Sequence, residues 1–157
     1  MAIQLQEFAQ QVLFGTTMEA KLSFPREAII DTKPGPAIRT PRTLARPPHL
    51  ALRVDGVRAK YPSEVKLVDE RERGRLLHFF ANHELLATEL MALVLLKFPD
   101  APASFRRGVL ETLKEEQIHT QLYMHRMQQC GVDFGELPVS DYFWKSVSSM
   151  EDPLDYV

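Results

Sequence analysis

Residues 64–98 read EVKLVDERERGRLLHFFANHELLATELMALVLLKF, and this stretch decides the fold. It contains no proline, and Pro99 follows its last apolar residue, so the pattern predicts one long helix. Between Leu76 and Phe98 apolar residues occupy every face, as in a helix that is buried on all sides. Gly74 costs about 1 kcal/mol relative to alanine in a helix interior, which leaves a kink or a break into two segments open at that point.

A second long helix is predicted on the far side of a short linker. Ser104, which follows Pro102, is the expected N-cap. The helix should run to about Cys130, with Gly131 as its stop. Because the linker is short, the two helices should be antiparallel neighbours. The inner face of the second helix is predicted to carry Val109, Leu113, Glu116, Thr120, Tyr123 and Met127.

The N-terminal part has a different character. We expect residues 1–62 to form a separate segment ahead of a helical unit at residues 63–157. Helical spacing predicts short helices at residues 3–14 and 17–22. Residues 31–49 hold five prolines and three arginines, a composition that predicts extended chain. We interpret this Pro-rich segment as a strap laid over the helices, and a basic arm that contacts a partner is the alternative.

Two further short elements are predicted. Asp55-Gly56 lies between the apolar stretches 50–54 and 57–59 and indicates a β-hairpin. Residues 139–147 should form a short helix whose aromatic side chains plug one end of the long helices. The expected fold class is therefore all-α, with two long antiparallel helices, short N-terminal helices and the Pro-rich strap.

Composition limits the function classes. The formal charge of −2 argues against a large nucleic-acid surface. Cys130 is the single cysteine, so no internal disulfide can form, which is typical of a reducing compartment. The first twenty residues show no secretory signal, and Glu89 and Lys97 interrupt the most apolar window, residues 85–98. We therefore expect a cytoplasmic protein that binds neither nucleic acid nor membrane.

Glu116 and His119 form a Glu-x-x-His pair whose spacing puts both side chains on one helix face. Four-helix bundles hold pairs of iron or manganese ions with such motifs: two helices give one Glu each, and two others give Glu-x-x-His. Spacing alone is weak support, because thirteen Glu and five His in 157 residues produce about 0.4 such pairs by chance.

Apolar context strengthens the metal interpretation. Glu84 shares its side of the first long helix with apolar residues, and Glu116 lies in the apolar stripe of the second. A buried carboxylate is costly unless it has a partner. That partner is either a metal ion or an arginine, for which the sequence offers Arg106, Arg107 and Arg126.

Several residues compete for these roles. Glu89 also interrupts an apolar run, but it lies five residues after Glu84 and points to a different side of the helix. Glu115 can pair with His119 at a spacing of four. Three residues are candidates for holding a metal ligand in its orientation by contacting it: His78, His83 and Tyr123.

Four stretches of the chain are distinctive: HELLATELMA (83–92), FPDAPASFR (98–106), EEQIH (115–119) and GVDFGELPVSDYFW (131–144). Together they resemble an uncharacterised bacterial ferritin-like family, a domain of unknown function. The resemblance is close over residues 76–157 and loose before them. It implies a ferritin-like helical bundle in which the metal ligands are Glu84, Glu116 and His119.

The resemblance also indicates which ligands of the metal site this chain contains. Similarity to tRNA-hydroxylating ferritin-like enzymes favours Glu84 over Glu89, because their ligand Glu precedes a small residue by three, and Ala87 fits that pattern. The resembling family continues with two more bundle helices that bear another Glu and another Glu-x-x-His. On that comparison this chain holds half of the site, so we expect a missing C-terminal half or a homodimer to complete the bundle.

The function implied by the resemblance is that of a di-metal carboxylate protein. It would hold two iron or manganese ions and have an oxidoreductase-type activity, such as that of a di-iron oxidase or oxygenase. One alternative is a metal-handling protein without turnover. The other is a metal-free helical interaction module, in which Glu84 and Glu116 pair with arginines.

Overall fold

Two long helices packed side by side dominate the fold, and the computed structural model describes residues 1–156. The long helices are α3 (Glu70–Lys97) and α4 (Ala103–Gln129). The shorter helices are α1 (Leu5–Phe14), α2 (Met18–Leu22) and α5 (Tyr142–Val147). Short 3-10 helices span Pro48–Leu50, Glu64–Val68 and Pro153–Tyr156. The strands are β1 (Ala2–Gln4) and β2 (Ala28–Ile30).

Helices α3 and α4 run antiparallel, as the short linker predicts. One apolar cluster joins the end of α3 to the start of α4 and contains Leu96 and Val109. A second cluster joins the start of α3 to the end of α4 and contains Ala81 and Met127. The middle of the helix pair, between these two clusters, holds the candidate site.

The long helical stretch at residues 64–98 is divided rather than continuous. Residues Glu64–Val68 form a separate 3-10 helix, and α3 begins at Glu70. Asp69 is the N-cap of α3, and its side chain accepts a hydrogen bond from the Glu72 N–H at 3.1 Å. This cap explains where the helix begins, because it satisfies a backbone donor that the first turn leaves free.

The start of α4 corrects another prediction. The helix begins at Ala103 with Pro102 in the N-cap position, and that cap makes no side-chain hydrogen bond. Ser104 therefore lies inside the first turn and is not the N-cap. The other end agrees with the sequence, because α4 ends at Gln129 and Gly131 takes a positive φ of 80°.

Gly74 lies within α3, which continues through it without a break. A Cβ at this position would lie 2.7 Å from Val132 Cγ2 and 3.0 Å from Cys130 Cβ. The glycine therefore permits close packing of the chain after α4 against α3.

The Pro-rich segment lies along the long helices as a strap. The Ile38 N–H donates to the Leu96 carbonyl at 3.2 Å, and Trp144 Nε1 donates to the Pro41 carbonyl at 3.0 Å. Leu44 of this segment and Leu50, which directly follows it, are buried. These contacts tie residues 38–50 to α3 and to α5.

The fold is mostly helical, but it also contains a small sheet that the all-α expectation lacks. Strands β1 and β2 pair in parallel, with Ile3 opposite Ile29, so the first residues of the predicted helix at 3–14 are extended. The predicted hairpin around Asp55-Gly56 is wrong. Arg53 instead bridges to Ser140, because its N–H donates to the Val139 carbonyl at 2.7 Å.

By length and composition alone, α3 is apolar enough to cross a membrane, but 67 % of its most apolar window is buried inside the protein. Burial of this kind is what the central helix of a packed core requires.

Candidate metal centre

Glu84, Glu116 and His119 converge from the two long helices. Glu84 lies in the middle of α3, while Glu116 and His119 lie one turn apart on α4. A ligand atom from each side chain lies within 4.8 Å of the others. The His119 Nδ1 atom is 3.2 Å from Glu116 Oε2. The structure thus brings together the three residues selected from the sequence.

Two buried threonines flank the carboxylates. Thr88 Oγ1 donates to the Glu84 carbonyl at 3.0 Å, and Thr120 Oγ1 donates to the Glu116 carbonyl at 2.8 Å. Both threonine residues are fully buried. A small side chain one turn beyond each carboxylate keeps the seam between the helices narrow at this level.

The site is partly open to solvent. The side chain of Glu116 is 19 % exposed and that of His119 is 49 % exposed. A surface pocket of about 420 Å³ borders Glu84 and His119, and its other walls are Leu77, Leu122, Tyr123 and Arg126. Water or side chains of another polypeptide can therefore reach Glu84 and His119 from this side.

The two carboxyl groups interact directly. A hydrogen bond with Glu116 raises the pKa of Glu84 to about 7. Partial burial and the negative charge of Glu116 act in the same direction, and the nearby His119 opposes them. Glu84 therefore takes up a proton near neutral pH when only these groups face it.

Arginines do not neutralise this pair. Arg106 instead donates to Asp31, with Nε at 2.6 Å from Oδ2, and Arg126 donates to Gln129 at 3.2 Å. Within residues 1–156, no Lys or Arg nitrogen lies within 4.0 Å of a Glu84 or Glu116 carboxylate oxygen. The arrangement expected for the metal-free module, with both carboxylates paired to arginines, is thus not seen in the described residues.

The competing carboxylates lie elsewhere. Glu89 is fully buried, with Lys21 Nζ at 3.1 Å and Arg46 Nε at 2.9 Å from its carboxylate oxygens. Its negative charge is therefore already paired. Glu115 is exposed on α4 and is not part of the cluster. Glu84 is the α3 carboxylate that faces Glu116.

Sequence reasoning missed Lys21 and Arg46 as the partners of Glu89. They come from α2 and from the strap, 68 and 43 residues away in sequence. A signal was present, since each cation stands beside an apolar residue, Leu22 or Ala45, in a segment that has to cover the helices. Sequence spacing alone does not identify such distant partners.

The two histidines near Glu84 on α3 lie in different surroundings. His78 is buried, and its Nε2 atom accepts a hydrogen bond from the Gly135 N–H at 3.0 Å. Burial lowers the pKa of His78 to about 4, so its ring is neutral at pH 7. His83 lines a separate cavity on another side of α3. Of the three residues proposed to orient a ligand, only Tyr123 borders the pocket at Glu84.

Comparison with known proteins yields a family whose description states no activity. The family model described as protein of unknown function (DUF455) matches residues 6–157. No curated protein and no solved structure matches the chain. A function has to be argued from the geometry of the site.

Proposed function

The chain belongs to the DUF455 family of proteins of unknown function, and we propose that it is a di-metal carboxylate protein of the ferritin-like class. In this proposal its two long helices supply half of a site for two iron or manganese ions. The activity proposed is of the oxidoreductase type.

The observation that carries the proposal is the convergence of Glu84, Glu116 and His119 within 4.8 Å. Two carboxylates and one imidazole form a ligand set that suits divalent iron and manganese. Glu116 and His119 come from one helix and Glu84 from its neighbour, which is the distribution of ligands in di-metal bundles.

Electrostatics supports a cation at this position. Two carboxyl groups within hydrogen-bond reach repel each other once both are ionised. The raised pKa of Glu84 reflects the hydrogen bond with Glu116, partial burial and this repulsion. A divalent cation would relieve the repulsion, and the described residues supply no Lys or Arg that does so.

The number of ligands supports half a site. Three side chains are fewer than two iron or manganese ions require, and the pocket beside them is open. A second helix pair of the same kind, from another copy or another polypeptide, would bring the set to two Glu and two Glu-x-x-His. When bound, such ions supply Lewis-acid and redox chemistry toward dioxygen.

One observation favours the alternative of a metal-free helical interaction module. The hydrogen bond between Glu84 and Glu116 lets the pair exist with one proton in place of a cation. The exposed apolar side chains of Ile118 and Leu122 on α4 offer a surface for another helix. The metal proposal requires the carboxylates, whereas the interaction module requires only this apolar surface.

Metal analysis of the purified chain separates them. Glu116→Ala and His119→Ala should lose bound iron or manganese, whereas Glu115→Ala should keep the content of the unsubstituted protein. Glu115 is the matched control because it is the exposed carboxylate next to Glu116 on the same helix. Equal metal content in all four proteins, with circular dichroism unchanged, would support the metal-free module.

A further inference from the structure

A cavity of about 470 Å³ lies on the side of α3 that faces away from the Glu84 cluster. It is walled by α3, by the segment around Arg58 and Tyr61, and by residues 138–143. Its volume falls within the range of small-molecule sites, roughly 300–1,000 Å³. Nothing in the proposed metal chemistry uses it.

Aromatic rings form the rim of this cavity. Phe79 packs edge-on against Tyr61 at 4.8 Å between ring centroids and stacks with His83 at 6.3 Å. His83 in turn contacts Phe143 at 5.9 Å. Phe79 and Tyr61 are 40 % and 45 % exposed, although rings of this size usually bury more of their surface. The exposed faces of these rings can accept a flat aromatic molecule.

Three polar side chains of the cavity each have a hydrogen-bond donor available. The Asn82 Oδ1 atom already accepts from Arg46 at 2.7 Å, which leaves the amide N–H₂ to donate. The neutral His78 ring has its Nε2 occupied by the Gly135 N–H, so its proton is on Nδ1. The Ser140 Oγ atom accepts from the Tyr142 N–H at 3.1 Å, and its own proton is available.

Charge points the same way. Among the described residues that line the cavity none is Asp or Glu, whereas Arg58 lies at the rim with its guanidinium 4.6 Å from the centre of the Tyr142 ring. Behind the wall, Arg46 and Lys21 share the single carboxylate of Glu89. The Arg46 guanidinium donates to the Asn82 Oδ1 atom, and this contact polarises the amide whose N–H₂ group borders the cavity.

We propose that this cavity is a binding site for a flat aromatic carboxylate. The rings hold the aromatic body, and the carboxylate accepts hydrogen bonds from the donors contributed by Asn82, His78 and Ser140. Arg58 adds electrostatic attraction at the entrance. A ligand of this class matches both the shape of the site and the donors that Asn82, His78 and Ser140 have available.

The test uses 2-naphthoate as the probe, with calorimetric titration and amide NMR spectra of the full chain. We expect submillimolar binding that shifts the signals of residues 78–83 and 138–143. Arg58→Gln and Phe79→Ala should each weaken it about tenfold, the loss expected for removing one nearby positive charge or one ring contact.

Matched controls address folding and charge. Arg107→Gln and Ile118→Ala replace an exposed arginine and an exposed apolar residue on α4 and should leave the affinity unchanged. The cation 2-naphthylmethylammonium should bind at least about tenfold more weakly than 2-naphthoate.

Absence of 2-naphthoate binding would overturn the proposal, as would equal binding of the ammonium probe. Unchanged affinity in both cavity variants would also overturn it. Glu116→Ala should bind 2-naphthoate normally, which keeps this test independent of the metal proposal.

Discussion

Glu84 and Glu116 face each other across the seam between α3 and α4, with carboxylate oxygens within 4.8 Å of one another, although both are carboxyl groups. Such a pair retains one proton when no cation is near. A bound divalent ion would take the place of that proton, so metal affinity, stability and pH are linked at this position.

Glu84→Gln should stabilise the metal-free protein above neutral pH. The pKa of Glu84 is raised from 4.5 to about 7. Its protonated form therefore stabilises the folded protein fully below pH 4.5, and this stabilisation is lost as the pH rises through 7. The Gln amide keeps a hydrogen-bond donor at every pH. In chelator at about pH 8 the variant should therefore melt at a higher temperature than the native chain, and the difference should vanish near pH 4.5. Glu115→Gln serves as the control, and a lower melting temperature of Glu84→Gln at the higher pH would contradict the assignment.

His78 should limit stability in acid. Its folded pKa of about 4 lies below the ordinary 6.5, so its contribution is complete above pH 6.5 and is lost as pH falls toward 4. The loss amounts to about 3 kcal/mol when the full shift is converted. His78→Gln keeps an acceptor for the Gly135 N–H and should flatten the pH dependence of urea unfolding in this window. The exposed His125→Gln should not, and an unchanged slope in His78→Gln would refute this role.

Glu89→Gln should be strongly destabilising without affecting the proposed metal site. The change leaves Lys21 and Arg46 buried without their anion, a situation that costs roughly 3–5 kcal/mol. Chemical denaturation measures the loss, and Glu115→Gln should stay within about 0.5 kcal/mol of the native chain. Metal content per folded molecule should be unchanged in Glu89→Gln. A selective loss of metal would instead make Glu89 a ligand.

The two helical glycines should respond oppositely to alanine. At Gly74 the new Cβ meets Val132 Cγ2 at 2.7 Å, and overpacking of this kind costs roughly 1–3 kcal/mol. At Gly108, on α4, the new Cβ meets no described atom within 4 Å, and the gain in helix propensity is about 1 kcal/mol. Urea unfolding of both variants checks the pair. Stabilisation by Gly74→Ala would show that the chain after α4 can move away from α3.

The long helices and their stop signals could be predicted because they depend on local patterns. The absence of proline in α3 and Gly131 after α4 are visible within a few residues of chain. The Glu-x-x-His spacing likewise determines which side chains share a helix face. These local features place Glu116 and His119 on one face of α4, whereas the choice of Glu84 over Glu89 rests on the resemblance to ferritin-like proteins.

Pairings between residues far apart in the sequence could not be predicted from local patterns. Strands β1 and β2 have three residues each and pair across 26 positions, so neither has a periodic signal. The Asp55-Gly56 signal predicts a hairpin, and Gly56 does take a positive φ of 76°. The adjacent chain nevertheless pairs with residues near Ser140, because tertiary contacts override a weak local turn. The ion pairs of Glu89 depend on the same kind of distant contact.

The most direct measurement is an anomalous difference map from crystals of the chain grown with Mn²⁺, recorded so that manganese scatters anomalously. The account predicts a peak bonded to carboxylate oxygens of Glu84 and Glu116 and to a ring nitrogen of His119, with remaining ligands from solvent or a second helix pair. A map without a peak between these residues, or with manganese bound only elsewhere, would contradict it.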